Sequence, residues 1–277
     1  MFDPRAAALL LGVSLAIVLG VAVTAQEPAP QEQGESAAER SDPEKSEAPK
    51  IDSKEWLRQR QAAFAEYELQ GQDAARPFML EPDPVLKWSN AERGTNIGGV
   101  FLWTERGRPA MIACAFIFKD KVNHEFQSLS DREIIASRKG EEVHRFGPGV
   151  EWKPLAEAPA PAAKRTARLT QFRRQAERFR VQFGTKKWSP ARLLNQPVYR
   201  SPESLTQSDI AVFQFVQGTD PECVLLLEAA EGKWQYALAR ETKWGLKVEI
   251  DGREVWSCEP QWSPKRDSGS PFVVLAE

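Results

Sequence analysis

Two stretches of this 277-residue chain carry the same punctuation 112 residues apart. Val100-Phe101 returns as Val212-Phe213, Pro109 as Pro221, Gly140 as Gly252, and Glu142-Val143 as Glu254-Val255. Upstream, Pro84-Val85 matches Pro197-Val198 with one residue of slip. Matches in one order at nearly one offset predict a doubled structural unit. This constrains the fold more than composition does, because whatever the first copy builds the second must build again. The expectation is an α+β protein of two pseudo-equivalent units, each one helix plus about five antiparallel strands, packed as one double unit. The alternative is a single β-barrel or sandwich carrying two helices.

Local patterns fill in each unit. Asp52-Ser53 can cap a helix from Lys54 to about Leu69, with Trp56, Leu57, Ala63, Phe64 and Tyr67 along one stripe and Gly71 as the stop. A second helix is expected from about Lys164 to Val181, where Leu169, Phe172, Ala176, Phe179 and Phe183 repeat at three- and four-residue intervals. Arg165, Arg168, Arg173, Arg174, Arg178 and Arg180 cover its other side and read as a solvated face rather than an anion-binding patch. After the first helix, Val100–Thr104 and Met111–Phe118 flank an Arg106-Gly107-Arg108-Pro109 turn. Strands His124–Leu129 and Glu133–Arg138 follow, and Lys139-Gly140 turns into Glu142-Val143-His144. In the second block Ile210–Val216 turns at Gly218-Thr219-Asp220-Pro221 into Cys223–Glu228, then Trp234–Arg240 and Leu246–Ile250. Asp251-Gly252 closes a last hairpin. A helix covers only one face of such a sheet, so the other face must find a partner, and two units would supply it to one another. Val100-Phe101-Leu102-Trp103 has no polar face at all and predicts burial on both sides.

The N-terminus is of a different kind. Ala6 to Val23 is an almost unbroken apolar run after Arg5, and Val23-Thr24-Ala25 places small residues where a signal peptidase reads. Residues 1–25 are read as a signal peptide, and residues 26–52 as a disordered acidic tether rich in Glu, Pro, Ala, Ser and Gln. Gln26–Glu55 holds nine acids against four bases, so a chain of net charge −2 leaves only +3 for everything else. That is too little to attract nucleic acid by bulk electrostatics. The first unit is then residues 53–146, a Pro- and Ala-rich connector residues 147–163, and the second unit residues 164–277. With no second long apolar run, no integral membrane domain is expected after signal cleavage. Localisation is expected to be extracytoplasmic, periplasmic or secreted. Cys114 and Cys223 sit in apolar stretches as small hydrophobes, and a Cys223–Cys258 bridge is left open.

Several motifs in one order carry a resemblance. Gly98-Gly99-Val100-Phe101-Leu102-Trp103-Thr104, Gly107-Arg108-Pro109, His124-Glu125-Phe126-Gln127-Ser128-Leu129, the run Arg192 to Arg200, and Phe215 to Glu222 resemble a family of secreted planctomycete proteins of unknown function. The resemblance spans roughly Pro84 to Trp256 and implies a bacterial envelope protein; it implies no activity.

Chemistry is sparse. The strongest catalytic candidates are His124, Glu125 and Ser128, but strand alternation puts His124 and Ser128 on one face and Glu125 on the other. No Gly-x-Ser-x-Gly elbow, phosphate loop or glycine-rich dinucleotide loop is present. Two histidines make a conventional zinc site improbable, and no metal is expected. The Gly107-Arg108-Pro109 hairpin is similar to the opening of flavin-binding split barrels, but one tripeptide is too little, and no cofactor is expected. Candidate binding residues lie on the two equivalent turns: Arg106 and Arg108 on a basic one, Gln217, Thr219, Asp220 and Glu222 on an acidic one. Nine tryptophans could build an aromatic ligand surface or simply a core. The sequence therefore points to a noncatalytic binding or structural protein, with an envelope protein or polymer as its partner. The alternative is an extracytoplasmic hydrolase using His124.

Overall fold

The structure is a computed structural model that describes residues 52–71, 77–90, 95–118, 121–205, 207–262 and 269–276. The expected signal peptide and all of the expected tether except Asp52 lie outside the described residues.

The first half opens with α1 (Ser53–Ala65), whose N-terminal amides are held by the Asp52 carboxylate: Lys54 N donates at 2.9 Å and Glu55 N at 3.3 Å. Trp56, Leu57 and Phe64 are its buried side chains. The helix ends four residues before the expected Leu69, because Tyr67–Gly71 is β1. There Tyr67, Leu69 and Gly71 are buried and Glu68 and Gln70 exposed, a period of two that fits a sheet and not a helix. The same correction applies to α2 (Arg165–Ala176), expected to reach Val181. Phe179 and Phe183 are four apart, which suits a helix face, but Val181 shares their burial, and Phe179–Gly184 is a strand, β10. In both places pairing with a distant strand overrides a local helical reading.

Strands follow each helix in step. After β1 come the short β2 (Met79–Leu80) and β3 (Leu86–Asn90), then β4 (Thr95–Glu105), β5 (Arg108–Phe118), β6 (Lys121–Ser128), β7 (Ile134–Arg138) and β8 (Glu141–Phe146). The segment read as a connector contains β9 (Lys153–Pro154). After β10 come β11 (Trp188–Leu193), the short β12 (Tyr199–Arg200), β13 (Ser208–Gln217), β14 (Asp220–Ala230), β15 (Lys233–Arg240), β16 (Gly245–Ile250), β17 (Arg253–Cys258) and finally β18 (Phe272–Ala276). All pairings are antiparallel. The first half forms a three-stranded sheet β1-β7-β8 and a six-stranded sheet β18-β6-β5-β4-β2 with β3 also on β4. The second half forms one nine-stranded sheet, β17-β16-β10-β11-β13-β14-β15-β9, with β12 also on β13. Neither large sheet closes into a barrel.

Registers can be set side by side. Val100 faces Cys114 and Val212 faces Leu226. Met111 faces Ser128 and Cys223 faces Arg240. Tyr67 faces Arg138 and Phe179 faces Ile250. The ladders slip at Trp103/Thr104 and Phe215/Val216, and again at Ala136/Ser137 and Val248/Glu249.

Three cores result. Phe101, Trp103, Met111 and Ala113 pack under α1 with Phe64, and Phe213, Phe215, Cys223 and Leu225 pack under α2 with Phe172. The opposite faces meet in a third core of Val100, Leu102, Ile112 and Cys114 against Val212, Val224, Leu226, Ala237 and Ala239. Val100 through Trp103 are accordingly at most 1 % exposed, as the all-apolar run predicts. Each large side chain removed from water there contributes about 1.5–3 kcal/mol. Cys114, Cys223 and Cys258 are unbridged, and burial pushes the Cys114 and Cys223 thiols well above their ordinary range.

Because Leu226 lies wholly in the shared core, Leu226→Ala is expected to lose about 2–5 kcal/mol of stability. Urea unfolding followed by tryptophan fluorescence should shift as one transition; two separated transitions would show that the halves do not depend on each other.

Candidate binding site

The turns singled out as binding loops are used to clasp the two halves together. In the turn after β4, Arg106 and Gly107 both have positive φ (53° and 85°), and a Cβ on Gly107 would meet Pro202 at 2.7 Å. Tyr199 Oη donates to the Gly107 carbonyl at 2.9 Å. Beside it Arg108 forks onto Glu228 of β14, at 2.6 and 3.0 Å, and lies over the Trp152 ring at 4.9 Å. Gln235 donates a further bond to Glu228 at 2.6 Å. Burial alone would raise the Glu228 carboxyl; the bonds and charge of Arg108 outweigh it and hold the group below its ordinary value. In the other turn Thr219 hydroxyl donates to the Ser89 carbonyl and accepts from Ser89 N at 3.2 Å. Arg106 is exposed and Gln217 half-buried. Arg108 and Thr219 are thus placed against the opposite half of the chain, whereas Asp220 lines a cavity and Glu222 is buried.

His124, Glu125 and Ser128 are not brought together. His124 is 1 % exposed and sits in the α1 core, its ring 4.5 Å from that of Phe64 and 6.4 Å from Tyr67. Ser128 Oγ accepts from Ser130 N at 3.3 Å. Glu125 points the other way, as strand alternation requires, toward the second half.

The helix α2 arginines are largely structural. Arg165, Arg168 and Arg200 converge on Asp209 at 2.5–2.9 Å. Burial would raise Asp209; the bonds from Arg200 and Arg168 and the charges of Arg200 and Arg165 bring it below its ordinary value. Arg178 bonds Asp251 at 2.6 and 3.0 Å. These side chains are committed to the fold rather than offered to solvent.

A cavity of about 180 Å³ lies between the halves. Trp88, Phe116, Phe118 and Glu125 line it from the first half, and Asp220, Pro221, Glu241, Lys243, Trp244 and Trp262 from the second. Trp88 lies flat on its neighbour strand because Gly98 opposite has no side chain; a Cβ there would come within 2.2 Å of the indole. Trp244 and Trp262 meet edge to face at 4.6 Å. Of the three large apolar side chains exposed among the described residues, two, Phe118 and Trp262, stand on this cavity.

The cavity is acidic at its base. Glu125, Glu222 and Glu241 are 9 %, 0 % and 4 % exposed. Both carboxylate oxygens of Glu241 lack a hydrogen-bond partner; the Gln214 amide, which favours its ionised form, makes no bond of normal geometry to it. Burial, reinforced by Glu125, Asp220 and Glu222, drives the Glu241 carboxyl well above its ordinary range. Burial, reinforced by Asp220 and Glu222 against Lys243 and Arg240, pushes Glu125 up to about 8. Arg240 itself gives its hydrogen bonds to the neutral acceptors Thr242 O, Trp244 O, Glu259 O and Gln261 Oε1. Sequence reading flagged Asp220, Glu222 and the tryptophans but missed Glu241. One signal was there: the 112-residue offset carries Ala110 to Glu222 and Leu129 to Glu241, acids where the earlier stretch is apolar. The backbone bond Leu129 N to Ala110 O has its counterpart in Glu241 N to Glu222 O, both 2.9 Å.

Compared with known proteins, the sequence matches no family model, no curated protein and no solved structure.

The Arg108 clasp has a measurable weight. Arg108→Ala strands a buried carboxylate and should cost about 3 kcal/mol, the low end for such pairs because Arg108 is itself partly exposed. In that variant Glu228 titrates above its unfolded value, so the deficit should be small in acid and grow as pH rises. A deficit that does not change with pH would remove the electrostatic explanation.

Proposed function

We propose that this is an exported, noncatalytic binding protein, built by duplication of one helix-plus-sheet unit, with its ligand site in the cavity between the copies. Duplication is supported by the paired registers: every facing pair set side by side above is related by 112 residues, and so are both ladder slips. The strand order β1-β7-β8 has its counterpart in β10-β16-β17, and β4-β5-β6 in β13-β14-β15. Lys139-Gly140 and Asp251-Gly252 share a positive-φ turn. Two departures stand out: β10 also pairs with β11, which fuses the second half into a single sheet, and the place that β9 takes on β15 is taken on β6 by the C-terminal β18.

The observation that carries the binding reading is the unspent polarity of the cavity. Buried carboxylates are costly unless they are paired, protonated or used. Glu241 and Glu125 have no place in the clasp between the halves, whereas the Arg108–Glu228 pair plainly does. The noncatalytic reading is supported by the placement of His124 inside the α1 core, 1 % exposed against Phe64, and by strand alternation that turns Glu125 to the other face; no observation favours the hydrolase alternative. Export is supported by the apolar segment ahead of Ala25, by the acidic stretch behind it and by the resemblance to secreted planctomycete proteins. Among the described residues no helix is long and apolar enough to cross a membrane.

Two measurements test this. A fragment library of mixed charge, screened by the indole N–H resonances of the labelled protein, should move those of Trp88, Trp244 and Trp262. Hits confined to the separate cavity of about 310 Å³ near Trp256 and Tyr236 would relocate the site. N-terminal sequencing of protein from the envelope fraction should begin near Gln26; an intact Met1 would sink the export reading.

A further inference from the structure

We infer that the cavity between the two halves takes an organic cation, an alkylammonium or quaternary ammonium group, with Glu241 and Glu125 as counter-charges and the aromatic rim as its seat. The inference rests on the reading of that cavity as the ligand site and adds the ligand's chemistry.

The sign of the ligand follows from the inventory. Glu125, Asp220 and Glu241 line the cavity, Glu222 lies buried beside it, and Lys243 is the one cation on its wall among the described residues. Glu241 is 4 % exposed and neither of its oxygens makes a hydrogen bond of normal geometry, so its ionised form needs a donor or a positive charge beside it. The ligand's apolar character follows from the rim. Trp244, Trp262, Phe116 and Phe118 line it, and the exposed Phe118 and Trp262 gain from being covered. Aromatic faces beside carboxylates are how an alkylated ammonium is held, each ring contact contributing about 0.5–2 kcal/mol. A metal ion fits less well, because among the described residues no three His, Cys, Asp or Glu side chains are placed to share one.

Comparison of the two ends of the interface points the same way. The 112-residue offset relates Arg108 to Asp220 and Phe116 to Glu228. At one end the chain supplies its own cation: the Arg108 guanidinium sits on Glu228 with Trp152 beneath it. At the other end the position of the arginine is an aspartate, and the aromatic and acidic lining remains. What Arg108 does internally at the closed end, a ligand does at the open one.

Protonation couples to binding. Glu125 on β6 is faced by Asp220 and Glu222 on β14, by Arg240 at the end of β15, and by Glu241 and Lys243 just after it; Cys114 of β5 lies alongside. Without a ligand, burial pushes Glu125 up to about 8 and raises Glu241 in the same direction. A bound cation favours the carboxylates, so binding releases protons, and affinity rises with pH toward and through that value.

The test uses choline, whose charge does not titrate, against its neutral isostere 3,3-dimethylbutan-1-ol and the anion 3,3-dimethylbutanoate, by calorimetry and tryptophan fluorescence. Choline should bind about tenfold or more tighter than the neutral isostere, the gap expected of one desolvated cation–ring contact with a carboxylate behind it. Its affinity should rise between about pH 6 and about pH 9, with proton release seen in buffers of different ionisation enthalpy. Glu241→Gln should abolish most of this preference while near-ultraviolet circular dichroism and melting stay native. Trp262→Ala, on the exposed rim, should weaken choline without touching the fold. An Nα-acetyl-lysine methylamide arm separates the sources: tighter binding of either probe supports the inference and tells a free amine from a lysyl side chain. If the neutral isostere binds as well as choline, or both variants bind choline unchanged, the cation assignment is overturned and the cavity stays a ligand site. If no probe of any charge perturbs Trp88, Trp244 or Trp262, the underlying site reading falls instead.

Discussion

Everything in this molecule depends on strands that are apolar on both faces. β4, β5, β13 and β14 alternate as sheets must, yet both sets of side chains are mostly apolar: Phe101 and Trp103 face α1, Val100 and Leu102 face the second half. A sheet like this has no surface to give to water, so it must be covered twice. A helix and a small β-ladder cover it once. The second cover is the other sheet, and the third core is the consequence. No separate linker energetics are needed to hold the halves together, because separating them would expose Val212, Val224 and Leu226 together with Val100 and Ile112.

The same geometry explains where polar groups can be tolerated. In the middle of the shared interface they are neutral amides, Gln214 paired with Val224 and Gln127 with Ile112; at its two ends charged groups appear, in opposite ways. At the Arg108 end a forked ion pair, a ring beneath the guanidinium and a tyrosine hydroxyl on the turn satisfy every charge they bury. At the Glu241 end the carboxyls are pushed toward neutrality by burial and by one another. A low local dielectric makes the first arrangement firm and leaves the second responsive to whatever enters. At the 112-residue offset the difference is small in sequence, Leu129 against Glu241 and Ala110 against Glu222, and large in chemistry.

Much of the architecture was legible because turns and alternation are local. Pro109 and Pro221, Lys139-Gly140 and Asp251-Gly252 marked hairpins that the structure contains, and Val100–Trp103 announced its double burial. The misreadings are also local in origin. Tyr67 and Phe179 extended helical stripes on paper, because residues four apart satisfy both a helix face and a strand face; only the distant partners Arg138 and Ile250 decide between them. β9 and β18 were invisible, since two residues in a Pro-rich stretch and five at the C-terminus have no strong pattern until an open sheet edge recruits them.

The candidate site divides along the same line. The sequence by itself determined an α+β chain of antiparallel hairpins, with the same turn residues recurring 112 positions apart and with a strand that needs cover on both faces. It also named Asp220, Glu222 and the tryptophans. What only the tertiary structure decided is which of these converge. Glu125 and Glu241 are 116 positions apart, and Trp88 and Trp262 farther still, so no spacing rule relates them. They share one cavity because two sheets pack face to face and the turn after β15 lands beside β6. Likewise Arg108, read as an open binding residue, became a clasp because its partner Glu228 lies 120 positions away on the other half. Local propensity is written in neighbouring residues, whereas burial, pairing and the fate of a charge are set by what the fold brings against it.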